Sequence, residues 1–486
     1  MIALAFLAVF SLFLATLLNF AQTGLKVGAT VEGQRKVLYS ADGAIQTEIR
    51  ALQPSNGDCA SPQSVSSVTL NGQAVSISCT QGLTGTGGSN TSLNTPGKAI
   101  LTLSTNAGET GINQSSNNNI KVHGGVFSNS NIAVQPSSSI TVENGDVKAR
   151  SGCTGGPISV VTPGFGKDCA FNGTDPTGSD PNYPPATSTL PPVQTVPACS
   201  SAVKTIKLLP GTYSDSTALN NLSGGACKGD LIWFSPGVYY FEFSTAAPIW
   251  TVSGGQGSGG SVQFVGGTPK GWTYTNPAAR PAVTMPGSCA TATDPAPNDG
   301  VQFIFGGISQ MAFSHGNMEL CAQPSLTQQQ IAIYGLKADV GGMHGQSGCV
   351  TAQPYHATGT CALVSAGGSG SGLYVQGTIY TPNAAMDFQQ PNTALVQIFG
   401  RGLVARVFAI AIQPSNGFTG ASISVPDINP VPGLGNPFRE AILTASMKPC
   451  ALPDPQCPTR PWLRAKVYFE SGATPPVHVL EWSVLR

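Results

Sequence analysis

The first twenty residues constrain the fold of this chain most, because none of them is charged. Met1 to Phe20 would form a helix ~30 Å long at ~1.5 Å per residue, which matches the hydrocarbon thickness of a bilayer. The sequence therefore predicts a transmembrane anchor that contacts membrane lipid through residues 1–20. The alternative is a cleaved secretory signal. Against it, the stretch has no basic start and is longer than the apolar region of such a signal, roughly 7 to 15 residues.

A helical pattern continues beyond this stretch, with apolar residues that recur at steps of three, four or seven. They are Val27, Val31, Leu38, Ala41, Ile45, Ile49 and Leu52. This spacing places them on one face of a helix, which Pro54 then ends. We predict that this face is a packing interface with a globular domain or with another helix.

The same region resembles a known family. The residues that carry the resemblance follow the apolar start and are Gln34, Arg35, Leu38, Tyr39, Ser40, Ala41, Asp42, Gly43, Ala44 and Ile45. Over about residues 1–53 the chain is similar to the amino-terminal region of PilX-type pilus assembly proteins, relatives of the minor type IV pilins. In that family an apolar helix anchors the chain before assembly, so the resemblance implies a pilus-associated protein with other pilin-like subunits as partners. An unrelated single-span anchor is the alternative.

One position departs from the pattern of that family. Ala5 stands where pilins carry a glutamate near the start of the helix, and no leader with a cleavage glycine precedes it. Two expectations remain open: the native start lies upstream, or the protein is anchored without being processed and polymerised.

Twelve cysteines, an even number, follow the helix, and none forms the Cys-x-x-Cys motif of a zinc ribbon or a redox pair. In chain order they form six local pairs: Cys59 and Cys79, Cys153 and Cys169, Cys199 and Cys227, Cys289 and Cys321, Cys349 and Cys361, and Cys450 and Cys457. Such pairs are typical of disulfides in an oxidising compartment. We predict disulfide bonds, with their connectivity left open, and an extracellular location for most of the chain. Basic residues after the span favour the opposite orientation, but a few of them do not stop a long domain from crossing.

Only 46 of the 486 residues, or 9%, are charged, and the net charge is zero. This balance excludes a nucleic-acid partner, because binding to phosphates requires a basic excess. The chain contains 59 Gly and 38 Pro, yet its hydrophobic content of 41% is sufficient for a packed core. Short strands joined by tight turns fit this composition, and the predicted fold class is mainly β.

A hairpin is predicted directly after the helix. Residues 68–70 and 75–79 alternate like strands and are joined through Asn71-Gly72, a pair that favours a two-residue hairpin turn. We assign residues 1–53 to the pilin-like anchor helix and residues 54–110 to a β-hairpin connecting region.

Weak internal repeats occupy the centre of the chain. Residues 122–128 and 375–381 share the pattern V-x-G-x-[VI]-aromatic-[ST], and Pro-Gly-x-Tyr occurs at 210–213 and again at 236–239, an offset of 26 residues. Offsets of roughly 20 to 26 residues suit one coil of a parallel solenoid. We predict a large extracellular right-handed parallel β-helix-like solenoid domain over residues 111–425, with a β-sandwich as the alternative. Residues 154–200 and 425–461 are expected to interrupt the stack.

The last segment, residues 426–486, is predicted to be Pro-rich at its start and to end in a β-hairpin. Residues 436–446 predict a short helix, with Asn436 as its cap and Pro437 in its first turn. Residues 462–469 and 477–485 alternate in polarity and predict the two strands of the hairpin, which is expected to cap the outer domain.

Catalytic and cofactor motifs are weak. Enzymes with a β-helix fold require paired carboxylates or a calcium cluster. Glu143 and Asp146 flank a turn, Asp387 is isolated, and Asp175 and Asp180 lack the spacing of a calcium loop. Glycine-rich stretches at 254–260 and 367–372 do not continue into a phosphate-binding motif, so no cofactor is predicted.

One cluster has metal-like ligands: His344, Cys349, His356 and Cys361. Its spacing matches no common zinc module, so a disulfide with two loop histidines is the preferred interpretation. Taken together, the sequence predicts a non-enzymatic, membrane-anchored structural protein of the cell surface, with a role in pilus assembly or adhesion. A tethered or secreted carbohydrate-binding or carbohydrate-active β-helix protein is the alternative. A surface glycan or a host ligand is a further candidate partner.

Overall fold

The computed structural model of the protein is mainly β. It describes residues 2–53, 59, 65–86, 97–106, 109–115, 119–163, 165–171, 178–224, 227, 229–253, 263–268, 278–279, 285, 289, 300–322, 330–347, 362–367, 371–390, 400–412, 422–426, 437–447, 460–470 and 477–485. Residues 2–9 and 12, among others, are described by their backbone alone.

Within these residues the helices are α1 (Ile2–Leu52) and α2 (Ser216–Asn221). The strands of the first part of the chain are β1 (Val65–Leu70), β2 (Gln73–Thr86), β3 (Lys98–Thr102), β4 (Thr110–Gln114), β5 (Asn119–His123), β6 (Gly125–Ser128), β7 (Asn131–Val134), β8 (Ser139–Glu143), β9 (Val147–Ala149), β10 (Gly152–Gly155), β11 (Ile158–Val160) and β12 (Lys167–Asp168). Those of the second part are β13 (Thr205–Leu208), β14 (Gly211–Tyr213), β15 (Leu231–Phe234), β16 (Gly237–Phe241), β17 (Ile249–Ser253), β18 (Gln263–Gly266), β19 (Val301–Phe305), β20 (Gln310–Cys321), β21 (Ile331–Gly335), β22 (Ala362–Gly367), β23 (Ser371–Gln376), β24 (Thr378–Gln390), β25 (Leu403–Ile412), β26 (Ile423–Ser424), β27 (Pro437–Met447), β28 (Arg460–Glu470) and β29 (Val477–Val484).

The chain divides into two compact units. The small unit combines both chain ends, Met1–Gly85 and Pro437–Arg486, and the large unit is Thr86–Asn436. The helix, the hairpin and the C-terminal strands, which the sequence assigned to three separate regions, therefore contribute to one unit.

The sheet of the small unit has the strand order β1-β2-β27-β28-β29. The β1–β2 hairpin forms as predicted, with Asn71 at φ 51° and Gly72 at φ 73°. Both angles lie in the left-handed region, which Gly and Asn adopt most readily. The C-terminal strands also form as predicted, because β28 and β29 are antiparallel. They belong to the sheet of the small unit, beside β27.

The helix predicted at residues 436–446 is wrong, because the structure has strand β27 there. Ala441, Leu443, Ala445 and Met447 are all buried and alternate with less buried residues. This period of two suits a strand with one face on a core, and β27 pairs with β28 over its length. The stabilisation from pairing with β28 exceeds the local preference of the segment for a helix.

No helix formed by the described residues is both long enough and apolar enough to cross a membrane. The transmembrane anchor predicted over residues 1–20 is therefore not confirmed.

The strands of the large unit pair in parallel with strands from other turns of the chain. One column of neighbours runs β12-β9-β6-β3-β25-β24-β21-β19-β16-β14. A second runs β10-β7-β4-β25-β24-β22-β20-β17. A third has two parts, β11-β8-β5-β26 and β13-β15-β18-β20-β23. The solenoid prediction requires parallel pairing, which the structure has. The solenoid architecture and its right-handed sense stay predictions.

The sequence repeats lie at one kind of corner, where the chain passes from the third column to the first. Gly124, Gly211 and Gly237 all occupy this corner with positive φ, at 115°, 154° and 138°. Residues with a side chain rarely adopt such angles, so the recurrent glycine has a backbone reason. At these three positions glycine meets a turn requirement, whereas Gly377, at the same corner between β23 and β24, lacks a positive φ and is instead closely packed against Ala322.

Large side chains fill the interior of the large unit. Phe241, Phe303, Phe305 and Trp250 are fully buried. The ring of Phe241 lies 5.2 Å from that of Phe303, 5.0 Å from that of Phe305 and 5.4 Å from that of Trp250. Aromatic rings at these separations pack favourably beyond the area that they bury.

The stack does not follow the order of the chain. Strands β3 to β12 extend from the middle of the stack to one end, and strands β13 to β26 start at the opposite end. They return to the middle, where β25 pairs with β3 and β4, and β26 pairs with β5. The first and last strands of the large unit are therefore neighbours, which suits an insertion between two strands of one sheet.

Residues 178–194, called the strap here, connect the two ends of the stack across the first column. The segment 154–200 was expected to interrupt the stack, but β10, β11 and β12 belong to it, and only the later residues lie across it. Hydrogen bonds join the strap along its length to residues in or near strands of the first column. They are Asn129 Nδ2 to Gly178 O, Tyr334 Oη to Tyr183 O, Ala186 N to Gln302 Oε1, Leu190 N to Gly341 O, and Gln194 N to Thr212 O.

Candidate functional site

The C-terminal half of α1 packs on the sheet of the small unit. Its buried residues follow a helical period and are Val37, Ser40, Ala41, Ala44, Ile45, Glu48 and Leu52. They form one core with residues of β2, β27 and β28. Ser40 fixes the position of the helix, because its hydroxyl lies 3.0 Å from the Leu70 carbonyl oxygen and accepts from Asn71 Nδ2 at 3.3 Å.

The predicted helix interface is divided by the structure. Ala41, Ile45 and Leu52 are buried in this core, and Leu38 and Ile49 are partly buried against it. Val27 and Val31 are exposed, at 57% and 43% of their surface. The face predicted as one interface thus contributes to the core only in its second half.

The N-terminal half of α1 has a second, separate apolar surface. Nine large apolar side chains between residues 10 and 31 are exposed: Phe10, Phe13, Leu14, Leu17, Leu18, Phe20, Leu25, Val27 and Val31. Projected at 3.6 residues per turn, they lie within about half of the circumference. We call this surface the apolar arc. The other half of the circumference has most of the polar residues, namely Ser11, Thr16, Asn19, Gln22, Thr23, Lys26 and Thr30, and by sequence position it also includes Leu12 and Ala15.

The apolar arc points away from the sheet of the same unit. In the same projection, the residues that α1 buries between Val37 and Leu52 lie on the side of the polar half. The arc is therefore not an extension of the core of the small unit. A large exposed apolar surface of this kind is typical of a contact with a partner.

The centre of the apolar arc has an open surface. Gly24 and Gly28 lie on it four residues apart, and a Cβ atom at either would have no neighbour within 4 Å. Small residues at this spacing allow another helix to approach the backbone closely. The arc has the shape of a helix-packing surface.

The proposed metal cluster falls largely outside the described part of the chain, which lacks Cys349, His356 and Cys361. His344 is described, and its Nδ1 lies 2.7 Å from Glu242 Oε1. Glu242 also accepts a hydrogen bond from Tyr240 Oη at 2.8 Å. Among the described residues, no group of three or more His, Cys, Asp or Glu side chains is arranged to hold a metal ion.

The carboxylates considered for catalysis make ordinary surface contacts. Glu143 forms an ion pair with Lys121 at 3.3 Å, and Asp146 lies 3.8 Å from Lys148. Asp146 also accepts from Gly166 N at 2.8 Å. Asp387 is in β24, and Asp175 lies outside the described residues. These contacts give Glu143 and Asp146 a structural role at a corner of the stack.

The eight described cysteines form four disulfide bonds. They join Cys59 to Cys79, Cys153 to Cys169, Cys199 to Cys227, and Cys289 to Cys321. Each joins neighbours in chain order, and they indicate an oxidising environment. Cys349, Cys361, Cys450 and Cys457 lie outside the described residues.

Sequence reasoning missed a polar cluster under the strap. Asp180 Oδ1 accepts hydrogen bonds from Tyr380 Oη at 2.8 Å and from Asn182 N at 2.9 Å. The ring of Tyr380 lies 5.0 Å from that of Tyr183 and 5.2 Å from that of Tyr334. Burial, with the negative charge of Asp180, raises the pKa of all three tyrosines, so they remain protonated donors. Apart from the local contact between Asn182 and Asp180, the contacts of this cluster join distant parts of the chain.

Comparison of the chain with protein-family models, with curated proteins and with solved structures gave no match. The resemblance of residues 1–53 to PilX-type proteins therefore remains a prediction from the residues that carry it. The geometry of the two units is the basis for the functional argument.

Proposed function

We propose that this chain is a non-enzymatic structural protein of the cell surface that associates with a pilus or a pilin-like assembly. The apolar arc of α1 is the contact with that assembly, and its partners are the helices of other pilin-like subunits. Contact of residues 1–20 with membrane lipid before assembly is part of the same proposal. One observation carries the proposal: the apolar side chains of residues 10–31 are exposed and point away from the sheet on which the rest of α1 packs.

The composition of the two sides of α1 favours a helical partner. The polar half has only one basic residue, Lys26, between residues 10 and 31. A helix that lies on an anionic lipid surface typically has many Lys or Arg residues on its polar face. The open surface at Gly24 and Gly28 suits close packing of another helix.

The large unit is suited to a function other than assembly, because it is a separate compact unit. It is inserted between β2 and β27, which are neighbours in the sheet of the small unit. That sheet is continuous without the insertion, so the small unit has its own core. We assign assembly to the small unit and adhesion, to a surface glycan or a host ligand, to the large one. Glu143 and Asp146 form ion pairs with lysines, which supports a structural role for them and a non-enzymatic function for the protein.

A photo-crosslinking amino acid placed at Leu17 or at Asn19 tests this proposal. The two positions lie on roughly opposite sides of α1, so they form a matched pair. In cells that assemble the surface structure, we expect Leu17 to give several times more crosslinked protein than Asn19. Labelled lipid in the same experiment reports the contact that precedes assembly. Equal yields from both positions, or no crosslinked protein from either, would contradict the assignment of the arc.

A further inference from the structure

Lys337 lies between two side chains of the strap. Its Nζ donates to Asn182 Oδ1 at 2.5 Å and to Asp180 Oδ2 at 2.5 Å. The lysine follows β21 in the stack, and the two strap residues are separated from it by more than 150 positions. An amine, a carboxamide and a carboxylate therefore meet at one point.

We propose that Lys337 and Asn182 form an intramolecular isopeptide bond, with Asp180 as the group that moves the protons. This inference goes beyond the proposed function and does not depend on it. The bond joins the strap covalently to the stack that it crosses.

The geometry brings the reacting atoms within reach. A carbonyl bond is about 1.2 Å long, so the Nζ of Lys337 lies at most about 3.7 Å from the Cγ of Asn182. Reacting atoms about 3 to 3.5 Å apart are in a near-attack arrangement, and the upper bound for this pair is within about 0.2 Å of that range. The carboxamide is also held in place, because Asn182 Nδ2 donates to Asp180 O at 3.2 Å. The backbone of Asn182 is in the left-handed region at φ 50°, and its N–H is bonded to Asp180 Oδ1 at 2.9 Å.

The reaction balances without any further reactant. Asp180 Oδ2 takes a proton from the Lys337 ammonium group, and the neutral amine attacks Cγ of Asn182 to form a C–N bond. The tetrahedral centre then loses its original amide nitrogen. Asp180 returns the proton to this nitrogen and takes up the second amine proton of Lys337, which completes the departure of ammonia and leaves a secondary amide. No oxidation or reduction occurs.

The surroundings of Asp180 suit a proton carrier. Its side chain is only 19% exposed, and the buried rings of Tyr183, Tyr334 and Tyr380 lie beside it. Tyr380 donates to Oδ1, which leaves Oδ2 directed at Lys337. Tyr380 is thus a positioning residue. Because the reaction occurs once in each molecule, a slow rate is sufficient.

Mass spectrometry of the reduced, denatured full-length protein tests the proposal. We expect a mass about 17 Da below that of the reduced sequence, since one ammonia is lost. A proteolytic digest is expected to contain one branched peptide that joins Asn182 to Lys337. The bond also closes a loop of 155 positions that survives reduction, so the protein should migrate faster than a linear chain in a denaturing gel. The full sequence mass with two separate peptides would overturn the proposal and leave an ion pair only.

Variants assign the roles. Asn182→Ala and Lys337→Arg are expected to have their full sequence masses, because one reacting group is absent. Asp180→Ala is expected to lower the branched fraction at least tenfold, whereas Tyr380→Phe should slow its appearance in newly made protein without abolishing it. The control is Asn383→Ala, which removes only a hydrogen bond to the Lys337 carbonyl oxygen and should keep the mass loss. A branched peptide of undiminished yield in Asp180→Ala would overturn the role of that carboxylate.

Discussion

The two units of this protein have cores of different kinds. In the small unit, alanines lie where the helix meets the sheet, at Ala41, Ala44, Ala441 and Ala465, all fully buried. In the large unit the interior contains phenylalanine, tyrosine and tryptophan, in rings 4.8 to 6.4 Å apart. Small residues allow a helix to approach a sheet closely, whereas in the large unit aromatic rings, together with aliphatic side chains, fill the space between the parallel strands. We therefore expect larger core side chains to lower the stability of the small unit most. Smaller core side chains should lower the stability of the large unit most.

The largest effect is expected in the aromatic core of the large unit. Phe303→Ala removes a fully buried ring that lies 4.8 Å from Phe234 and 5.2 Å from Phe241. The resulting cavity should lower the free energy of unfolding of that unit by roughly 3 to 5 kcal/mol. Denaturant unfolding followed by circular dichroism measures this loss. Val479→Ala, at a side chain 51% exposed in the small unit, is the control and should change little. Equal losses from the two variants would contradict the comparison.

The next largest effect on stability is expected where β25, near the end of the large unit, meets the start of β4. Arg406 in β25 donates from Nε to Glu109 Oε2 at 3.1 Å and from Nη2 to Oε1 at 2.5 Å. Glu109 is 6% exposed, so Arg406→Met leaves a buried charge without this partner, at a cost of about 3 kcal/mol. Lys121→Met, which removes a surface ion pair with Glu143, should cost less than about 1 kcal/mol. Similar denaturation midpoints for both variants would show that this junction does not hold the stack.

A larger side chain in the core tests how closely the small unit is packed. Ala44→Leu inserts a larger side chain where α1 meets its sheet and should destabilise this unit by roughly 1 to 3 kcal/mol. Gln46→Leu, two residues along on the exposed side of α1, should change stability by about 0.5 kcal/mol or less. Thermal unfolding of both variants checks this difference. If Ala44→Leu left the small unit as stable as before, its core would not be closely packed.

A smaller effect is expected at the β1–β2 turn. Gly72 has φ 73°, so Gly72→Ala places a Cβ atom in the left-handed region at a cost of roughly 1 to 2 kcal/mol. Gly33→Ala in α1 is the matched control, because that position has open space around it and is helical. The control should be neutral or stabilising by up to about 1 kcal/mol, since Ala favours a helix. Both values come from chemical denaturation of the small unit.

The smallest effect at neutral pH concerns Tyr374 in the large unit. Burial, with the charge of Glu319, raises the pKa of Tyr374 to about 12 from an ordinary value of 10.0. Between these two values the unfolded chain loses the proton before the folded chain does, so stability decreases as the pH rises from 10 to 12. Tyr374→Phe should make this decrease less steep, whereas Val479→Ala, which removes no titratable group from the exposed surface of the small unit, should not. Unfolding measured across this pH range distinguishes the two variants.

Sequence reasoning succeeded where neighbouring residues decide the structure. The hairpin follows from the turn at Asn71 and Gly72, and the corner glycines follow from a repeated backbone requirement. The four disulfides join cysteines that are neighbours in chain order. Reasoning of this kind failed at β27, whose local preference is helical but whose strand conformation depends on pairing with β28.

The candidate site was predictable only in part. The apolar residues of α1 are evident in the sequence, but their division into a buried face and the apolar arc depends on where the sheet lies. Lys337 is more than 150 positions away from Asp180 and Asn182, so the sequence carried no signal that the three side chains meet. A loop of that length carries no local preference for closing at one point.

By itself, the amino-acid sequence determined the long helix, the β-rich remainder and the tight glycine corners, and it indicated disulfides without deciding their connectivity. Each depends on backbone preference or on groups a short distance apart along the chain. The tertiary structure alone decided that the two chain ends share one sheet, that β3 lies beside β25, and that the strap brings Asn182 to Lys337. The physical reason is that these contacts join groups with no local bias, so only the packing of the complete core selects them.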